Sequence, residues 1–179
     1  MNTTCQLRFV DENTDKVAQI GRDTQGDPEN IIPDLNHFKK LIQTADTEYG
    51  ASYTAAQFVF IDKLRDLEET SRSVDDAAPL PLSLSEIVEL ASWRNHSITP
   101  SYFLNHRVAN PSDGIEGDER FIYQITLPEL QYMDWRVKIA AHDAFPGESS
   151  GDTTRAFEVA DWRFEGMLED ALAEVRSDD

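Results

Sequence analysis

The sequence predicts an α+β fold, in which a mostly antiparallel sheet of about four to five strands packs with about five helices. Alternating apolar and polar runs, typical of half-buried strands, lie in the first 22 residues and again after residue 119. Apolar residues at intervals of three and four, typical of helices, occupy much of the remaining chain. The clearest helical pattern runs from Tyr53 to Thr70, and we expect this helix to be central to the core.

The first half of the chain predicts a strand hairpin followed by two helices. Residues 5–10 and 16–22 alternate in polarity and are joined by a polar loop, which indicates an antiparallel hairpin. A helix is expected from Pro33, with Asp34 as its cap. Its predicted inner face consists of Leu35, Phe38, Leu41 and Ile42. The predicted inner stripe of the central helix consists of Tyr53, Ala56, Phe60, Leu64 and Leu67. Phe58 and Val59 lie on its far side, so we expect the first two turns to be covered on more than one side.

The second half predicts a helical hairpin, two strands and a final helix. Residues 71–81 contain two prolines and predict a linker, so the single domain 1–179 could form two lobes, 1–70 and 82–179. Two helices are expected from Ser83 to Val108. Strands are expected at residues 120–127 and 135–142, and residues 156–159 could add another. An amphipathic helix is expected at 162–175, with Phe164, Met167, Leu168, Ala171, Leu172 and Val175 facing inward.

The charge of the chain restricts the classes of partner. There are 34 Asp and Glu residues against 16 Lys and Arg residues, which gives a net charge of −18. A surface this negative repels nucleic acid and anionic membranes, so we expect neither to bind directly. The expected partner is a basic host protein or a protein–nucleic acid complex. Adaptation to high salt is a second explanation of the acidity, and the two explanations are compatible.

The residues that commonly carry catalysis are sparse. No nucleotide-binding signature is present, and the four histidines, at 37, 96, 106 and 142, lack metal-ligand spacing. His142-Asp143 could be half of an acid/base pair, but no nucleophile motif completes it. The single Cys5 allows no internal disulfide and is expected to be a small core residue of a cytoplasmic protein. We therefore expect no enzymatic activity, no cofactor and no metal. No signal peptide or membrane span is apparent.

Acidic residues and two tryptophans are the predicted interaction residues. The acidic loop 110–119 and the C-terminal helix concentrate carboxylates, and tryptophans followed by arginine suit half-buried rims, where an exposed ring would anchor a partner. The predicted residues are Asp113, Glu116, Asp118, Glu119, Glu165, Glu169, Asp170, Glu174, Trp93 and Trp162.

Three segments of the first half share a pattern with known proteins. Residues 17–28, followed by Pro-Asp-Leu-Asn-His-Phe at 33–38 and Tyr-Thr-Ala-Ala-Gln-Phe at 53–58, resemble a group of small uncharacterised proteins of phages, archaeal viruses and plasmids. The hallmark of that group is a strand running into Tyr-Arg-His-x-Asp-Gly-Tyr-Pro. Arg22, Gly26 and Pro28 keep this pattern, whereas the departures from it are Gly21, Asp23, Gln25 and Asp27. The resemblance covers about residues 5–62, implies a viral or mobile-element origin, and brings no known activity.

These observations predict a non-enzymatic acidic interaction protein of viral or mobile-element origin. We expect it to inhibit a basic, nucleic-acid-handling host protein, in the manner of DNA-mimicking anti-CRISPR or anti-restriction inhibitors. One alternative is a structural or assembly protein of a virion whose halophilic host accounts for the acidity. Another is a DNA-binding regulator that uses the helical hairpin from Ser83 to Val108, although this segment carries no net positive charge. The sequence predicts no oligomeric state.

Overall fold

The computed structural model describes residues 3–14, 16–44, 49–74, 106–109, 119–141, 157 and 160–177, with residues 44, 64–74, 106–109 and 119 described by their backbone alone. Within these ranges the chain forms six strands and three helices. In chain order they are β1 (Thr4–Asp11), β2 (Val17–Arg22), α1 (Pro28–Thr44), α2 (Ala51–Val74), β3 (His106–Ala109), β4 (Glu119–Leu127), β5 (Arg136–Ala141), β6 (Phe164–Met167) and α3 (Leu168–Ser177).

All six strands belong to one mixed sheet with the order β3-β2-β1-β4-β5-β6. The central strands β1 and β4 run parallel, and the other four pairings are antiparallel. The predicted hairpin of β1 and β2 is confirmed, with Leu7 opposite Ile20. The predicted sheet of four to five strands with about five helices is wrong, because the sheet has six strands and the described ranges hold three helices. The short edge strands β3 and β6 are the elements that the sequence patterns missed.

One face of the sheet forms the main core with the helices. Successive side chains of a strand point to opposite faces, so Cys5, Leu7 and Phe9 of β1 lie on the same side. They join Tyr123 and Ile125 of β4 in a fully buried cluster. The predicted core position of Cys5 is therefore confirmed. The opposite face carries a smaller apolar cluster around Ile122, Ala140 and Phe157.

Helix α1 packs deeply into the core and starts at Pro28, five residues before the predicted start. Asp27 stands at the N-cap position, and its carbonyl oxygen accepts the first backbone hydrogen bonds of the helix from the N–H groups of Asn30 and Ile31 at 3.1 and 3.0 Å. Pro33 lies inside the helix, and Asp34 pairs with Arg22 and does not cap it. The inner face consists of Ile31, Ile32, Leu35, Phe38 and Ile42, whereas Leu41, predicted to face inward, is exposed.

The predicted inner stripe of α2 is wrong. Tyr53 and Phe60 are 52% and 61% exposed, and Ala56 is exposed as well. The helix turns its other side to the sheet, with Ala51, Thr54, Ala55, Phe58 and Asp62 buried. The helix is therefore not the central one, and it extends past Thr70 to Val74, into the predicted linker. The side chains of Leu64 and Leu67 lie outside the described part of the chain.

The predicted C-terminal helix is in fact a strand followed by a helix. Phe164 and Met167 belong to β6, and the backbone N–H of Leu168 donates to the carbonyl of Trp135 at 2.8 Å as α3 begins. Leu168, Ala171 and Leu172 are buried against the core as predicted, and Val175 is half-buried. Met167 is exposed. The pairing of β6 with the edge of β5 is the contact that overrides the helical pattern here.

The predicted helical hairpin from Ser83 to Val108 is wrong at its end. His106–Ala109 forms β3 and pairs antiparallel with β2, so Val108 is opposite Ile20 in the sheet. The rest of the hairpin, residues 83–105, lies outside the described residues. So do most of the predicted linker and His142-Asp143. The single described member of the possible strand 156–159 is Phe157, which does not lie in a strand.

Candidate interaction site

The structure places five of the ten predicted interaction residues with their side chains. Glu165, Glu169, Asp170 and Glu174 are exposed, and Trp162 is half-buried. Glu119 begins β4 and is described by its backbone alone. The remaining four residues, Trp93, Asp113, Glu116 and Asp118, lie outside the described residues.

The five placed residues divide between two surfaces. Trp162 packs against Phe157 on the sheet face opposite the helices, with ring centroids 6.3 Å apart. Lys138 lies over the Trp162 ring, 5.9 Å from its centroid, and also pairs with Glu165 at 2.8 Å. Trp162 and Glu165 are therefore engaged within the protein. Glu169, Asp170 and Glu174 lie on α3, whose buried residues hold it against the core, so these three carboxylates form a separate exposed surface.

The connection between β4 and β5 carries large apolar side chains into solvent. Tyr132 is 74% exposed, and Leu130 and Met133 are exposed as well. The sequence prediction treated residues 128–134 only as a separator of strands. A signal was nevertheless available, because three large apolar residues stand in a short connection where polar turn residues are usual. Contiguous exposed apolar side chains mark interaction sites in folded proteins.

Hydrogen bonds hold this connection in one conformation. The Gln43 side-chain amide of α1 donates to the carbonyls of Gln131 and Met133 at 3.1 and 3.4 Å. Gln131 in turn donates from its side chain to the carbonyl of Ile42. The Met133 N–H donates to the Leu130 carbonyl at 3.0 Å. Because these hydrogen bonds already order the backbone, little backbone conformational entropy remains to be lost when the side chains meet a partner.

Asp134 joins the connection to α1 and α3. Its carboxylate accepts hydrogen bonds from the backbone N–H groups of Trp135 at 2.9 Å and Glu169 at 3.3 Å. The buried Lys39 of α1 pairs with the same carboxylate, and its Nζ lies 3.7 Å from Glu169 Oε1. We call the exposed residues of the connection and of the first turn of α3, which Asp134 joins, the corner patch. It consists of Glu129, Leu130, Tyr132, Met133, Glu169 and Asp170.

A second polar cluster lies inside the protein and connects three elements. The Arg22 guanidinium at the end of β2 lies 2.7 Å from Asp34 of α1 and 3.9 Å from Asp62 of α2. It also donates to the Gln25 side-chain oxygen at 3.2 Å. Arg22 and Asp62 are buried, with 2% and 5% of their surface exposed, whereas Asp34 is partly buried and Gln25 lies at the exposed edge of the cluster. Its arrangement is that of a structural ion-pair network that fixes both helices to the sheet.

Three residues keep the pattern of the viral and plasmid proteins, and each of them, Arg22, Gly26 and Pro28, has a role in the fold. Arg22 is in the buried cluster, and Pro28 is the first residue of α1. Gly26 packs so closely that a Cβ atom there would lie 2.8 Å from the Cys5 Cβ. The Gly26 carbonyl accepts a hydrogen bond from the Tyr123 hydroxyl at 2.8 Å, and burial raises the pKa of Tyr123 well above its ordinary value. These contacts concern the fold, and they bring no reactive group to the surface.

Two further properties of the described residues bear on the kind of site. They contain no group of three or more His, Cys, Asp or Glu residues placed to hold a metal ion. No helix among them has the length and apolar character needed to cross a lipid bilayer.

No protein-family model, no curated protein sequence and no solved structure matches this chain.

Proposed function

We propose that this is a non-enzymatic interaction protein that binds a basic, nucleic-acid-handling host protein through the corner patch. The observation that carries the proposal is the presence of Tyr132, Leu130 and Met133 on a hydrogen-bonded connection, next to exposed carboxylates. The resemblance of residues 5–62 supports a viral or mobile-element origin. The proposed place of action is the cytoplasm of the host cell.

The corner patch combines the two properties that such binding needs. Large, rigid apolar and aromatic side chains at the centre of an interface supply most of its binding free energy. Carboxylates around them select a basic partner and accelerate its association. Glu129, Glu169 and Asp170 supply these charges, and the net charge of −18 extends the attraction beyond the contact itself. The carboxylates would occupy positions that phosphates take on the partner, and this competition would inhibit the partner's binding of nucleic acid.

The experiment begins with capture of partners from host extract at two salt concentrations, about 0.1 M and about 1 M. The electrostatic screening length falls from about 10 Å at the lower concentration to about 3 Å at the higher one. Captured proteins are identified and purified, and their dissociation constants are measured against variants of this chain. Tyr132→Ala is expected to weaken binding by about 2 kcal/mol, or about thirty-fold. Glu169→Lys with Asp170→Lys is expected to slow association and to reduce the salt dependence.

A control is Glu29→Lys, which makes the charge change of one of the two α3 substitutions at an exposed position in the first turn of α1. It lies about 20 Å along the helix from Ile42, which contacts the connection. This variant is expected to bind almost as well as the original chain. If Tyr132→Ala and the α3 variant bind like Glu29→Lys, or if the captured proteins are not basic, the proposal is wrong.

A virion structural or assembly protein is a second candidate, supported by a different observation. Tyr53 and Phe60 leave a second apolar surface exposed on α2, which shares no residue with the corner patch. Assembly proteins need more than one contact surface, and this second surface would supply one. Presence of the chain in purified virus particles would favour this function, and its absence from them would exclude it.

A further inference from the structure

The outer side of the first half of α2 is apolar and uncharged. Residues 51–61 contain no Asp, Glu, Lys or Arg, in a chain whose residues are 28% charged. Phe60 and Tyr53 are the large exposed side chains, and Ala56 lies exposed between them. These three residues, which we call the α2 stripe, are the apolar pattern that the sequence assigned to the core.

The α2 stripe belongs to a firmly held helix. The Asp11 carboxylate accepts a hydrogen bond from the Ala51 N–H at 2.7 Å at the start of α2. Phe58, on the opposite side of α2, packs against Phe9 and Phe38 with ring centroids 6.0 and 5.3 Å away. The stripe therefore points away from the core in a defined direction. Tyr53 and Phe60 are seven residues apart, which separates them by about 10 Å along the helix.

We propose that the α2 stripe is the contact surface of a homodimer, in which two copies of α2 pack antiparallel about a two-fold axis near Ala56. Charge favours a second copy over a basic partner. Two chains of net charge −18 repel wherever acidic surfaces meet, and the stripe is a surface on which they can touch without opposing carboxylates. A basic partner would be recognised by carboxylates, and residues 51–61 have none.

The order of side-chain sizes along the stripe fits this symmetry. A two-fold contact uses the same patch on both copies, so the patch must be complementary to itself. Tyr53 and Phe60 lie at nearly equal distances on either side of Ala56. In an antiparallel pair, Tyr53 meets Phe60 of the partner subunit, and Phe60 meets Tyr53 of the partner subunit. The small Ala56 at the crossing point lets the two helices approach closely.

The test uses a cysteine substitution at the proposed axis. Cys5, the one natural cysteine, is fully buried, so Ala56→Cys introduces the reactive thiol. The control is Ala173→Cys, another exposed alanine on a helix, located on α3. With a short bismaleimide cross-linker, Ala56→Cys is expected to yield about ten-fold more covalent dimer than Ala173→Cys, because dimer contact raises the effective thiol concentration into the millimolar range. Phe60→Asp in the Ala56→Cys background is expected to abolish the difference.

The salt dependence of dimer formation distinguishes it from the binding of a basic partner. Screening reduces the repulsion between two acidic copies, so dimer yield and the mass measured by light scattering are expected to rise from about 0.1 M to about 1 M salt, whereas binding through the corner patch weakens. Equal cross-linking of Ala56→Cys and Ala173→Cys, or a monomeric mass at both salt concentrations, would overturn the proposal. A monomer in which the Ala56→Cys thiol is protected from monofunctional maleimide would also overturn the proposal, because another segment of the same chain would then cover the α2 stripe. The dimer does not depend on the proposed partner binding, since the two surfaces share no residue.

Discussion

Removal of the Arg22 side-chain charge is predicted to lower the free energy of unfolding strongly. Arg22→Met keeps much of the apolar stem and deletes the guanidinium group. Asp34 and Asp62, whose side chains are 14% and 4% exposed, would then remain without the cation between them. Breaking a buried ion pair by removing one partner destabilises a protein by about 3–5 kcal/mol. A domain's total stability is only about 5–15 kcal/mol, so the effect is large.

The assay for Arg22→Met is unfolding by urea, followed by the fluorescence change as the fully buried Trp135 becomes exposed. With a denaturant slope of about 2 kcal/mol per molar urea, the transition midpoint is expected to fall by about 2 M. Arg136→Met is the control, because Arg136 is exposed and its loss should change stability by at most about 0.5 kcal/mol. Adding Asp34→Asn and Asp62→Asn to Arg22→Met is expected to recover part of the loss, because buried carboxylates are then no longer present. Equal stability of Arg22→Met and Arg136→Met would refute the role assigned to the cluster.

Three further predictions concern single positions in the core and at its edge. Gly26→Ala is expected to destabilise the fold by about 1–3 kcal/mol, because the added Cβ would lie 2.8 Å from the backbone and the Cβ of Cys5. Thermal unfolding measures this loss, and an unchanged melting temperature would contradict the close packing at Gly26. The Cys5 thiol is expected to resist thiol reagents until urea unfolds the protein, and rapid labelling of the native chain would show that Cys5 is accessible. Partial burial raises the pKa of Tyr49 from 10.0 to about 12, so the folded state holds this proton more tightly than the unfolded state. The resulting stability is complete below pH 10 and disappears as the pH rises through about 12. Tyr49→Phe should reduce this alkaline loss in pH-dependent unfolding, and an unchanged loss would contradict the assignment to Tyr49.

The strands were predictable because the pattern of a half-buried strand has a period of two residues. Leu7 and Phe9 alternate with polar residues, and this alternation identifies both the strand and its buried face. The edge strand β6 was not predictable in this way. Phe164 and Leu168 are four residues apart and imitate a helical stripe, whereas the contact that makes 164–167 a strand comes from β5.

The orientation of α2 could not be obtained from local pattern, because the helix has two apolar stripes. The stripe through Tyr53, Ala56 and Phe60 is continuous, and the buried side contains Asp62. A carboxylate normally indicates the solvent side of a helix. Asp62 is buried because Arg22, forty residues earlier in the sequence, lies beside it, and no local window contains both residues.

The candidate site was predictable only in part. The acidic positions Glu169 and Asp170 follow from the polar side of a C-terminal helix, and both are exposed on α3. Their proximity to the β4–β5 connection depends on Asp134 and Lys39, which are 95 residues apart in the chain. The apolar members of the corner patch had a sequence signal of their own, in the composition of residues 128–134, but composition does not reveal that hydrogen bonds from Gln43 hold the connection in place.

Hydrogen–deuterium exchange of the chain, alone and saturated with a captured basic protein, tests the proposed binding surface most directly. The account predicts slower exchange of backbone amides in residues 129–134 and 168–171 in the complex, with little change in the already protected strand β1. Slower exchange restricted to other parts of the chain, or no change at 129–134, would contradict a partner-binding role of the corner patch.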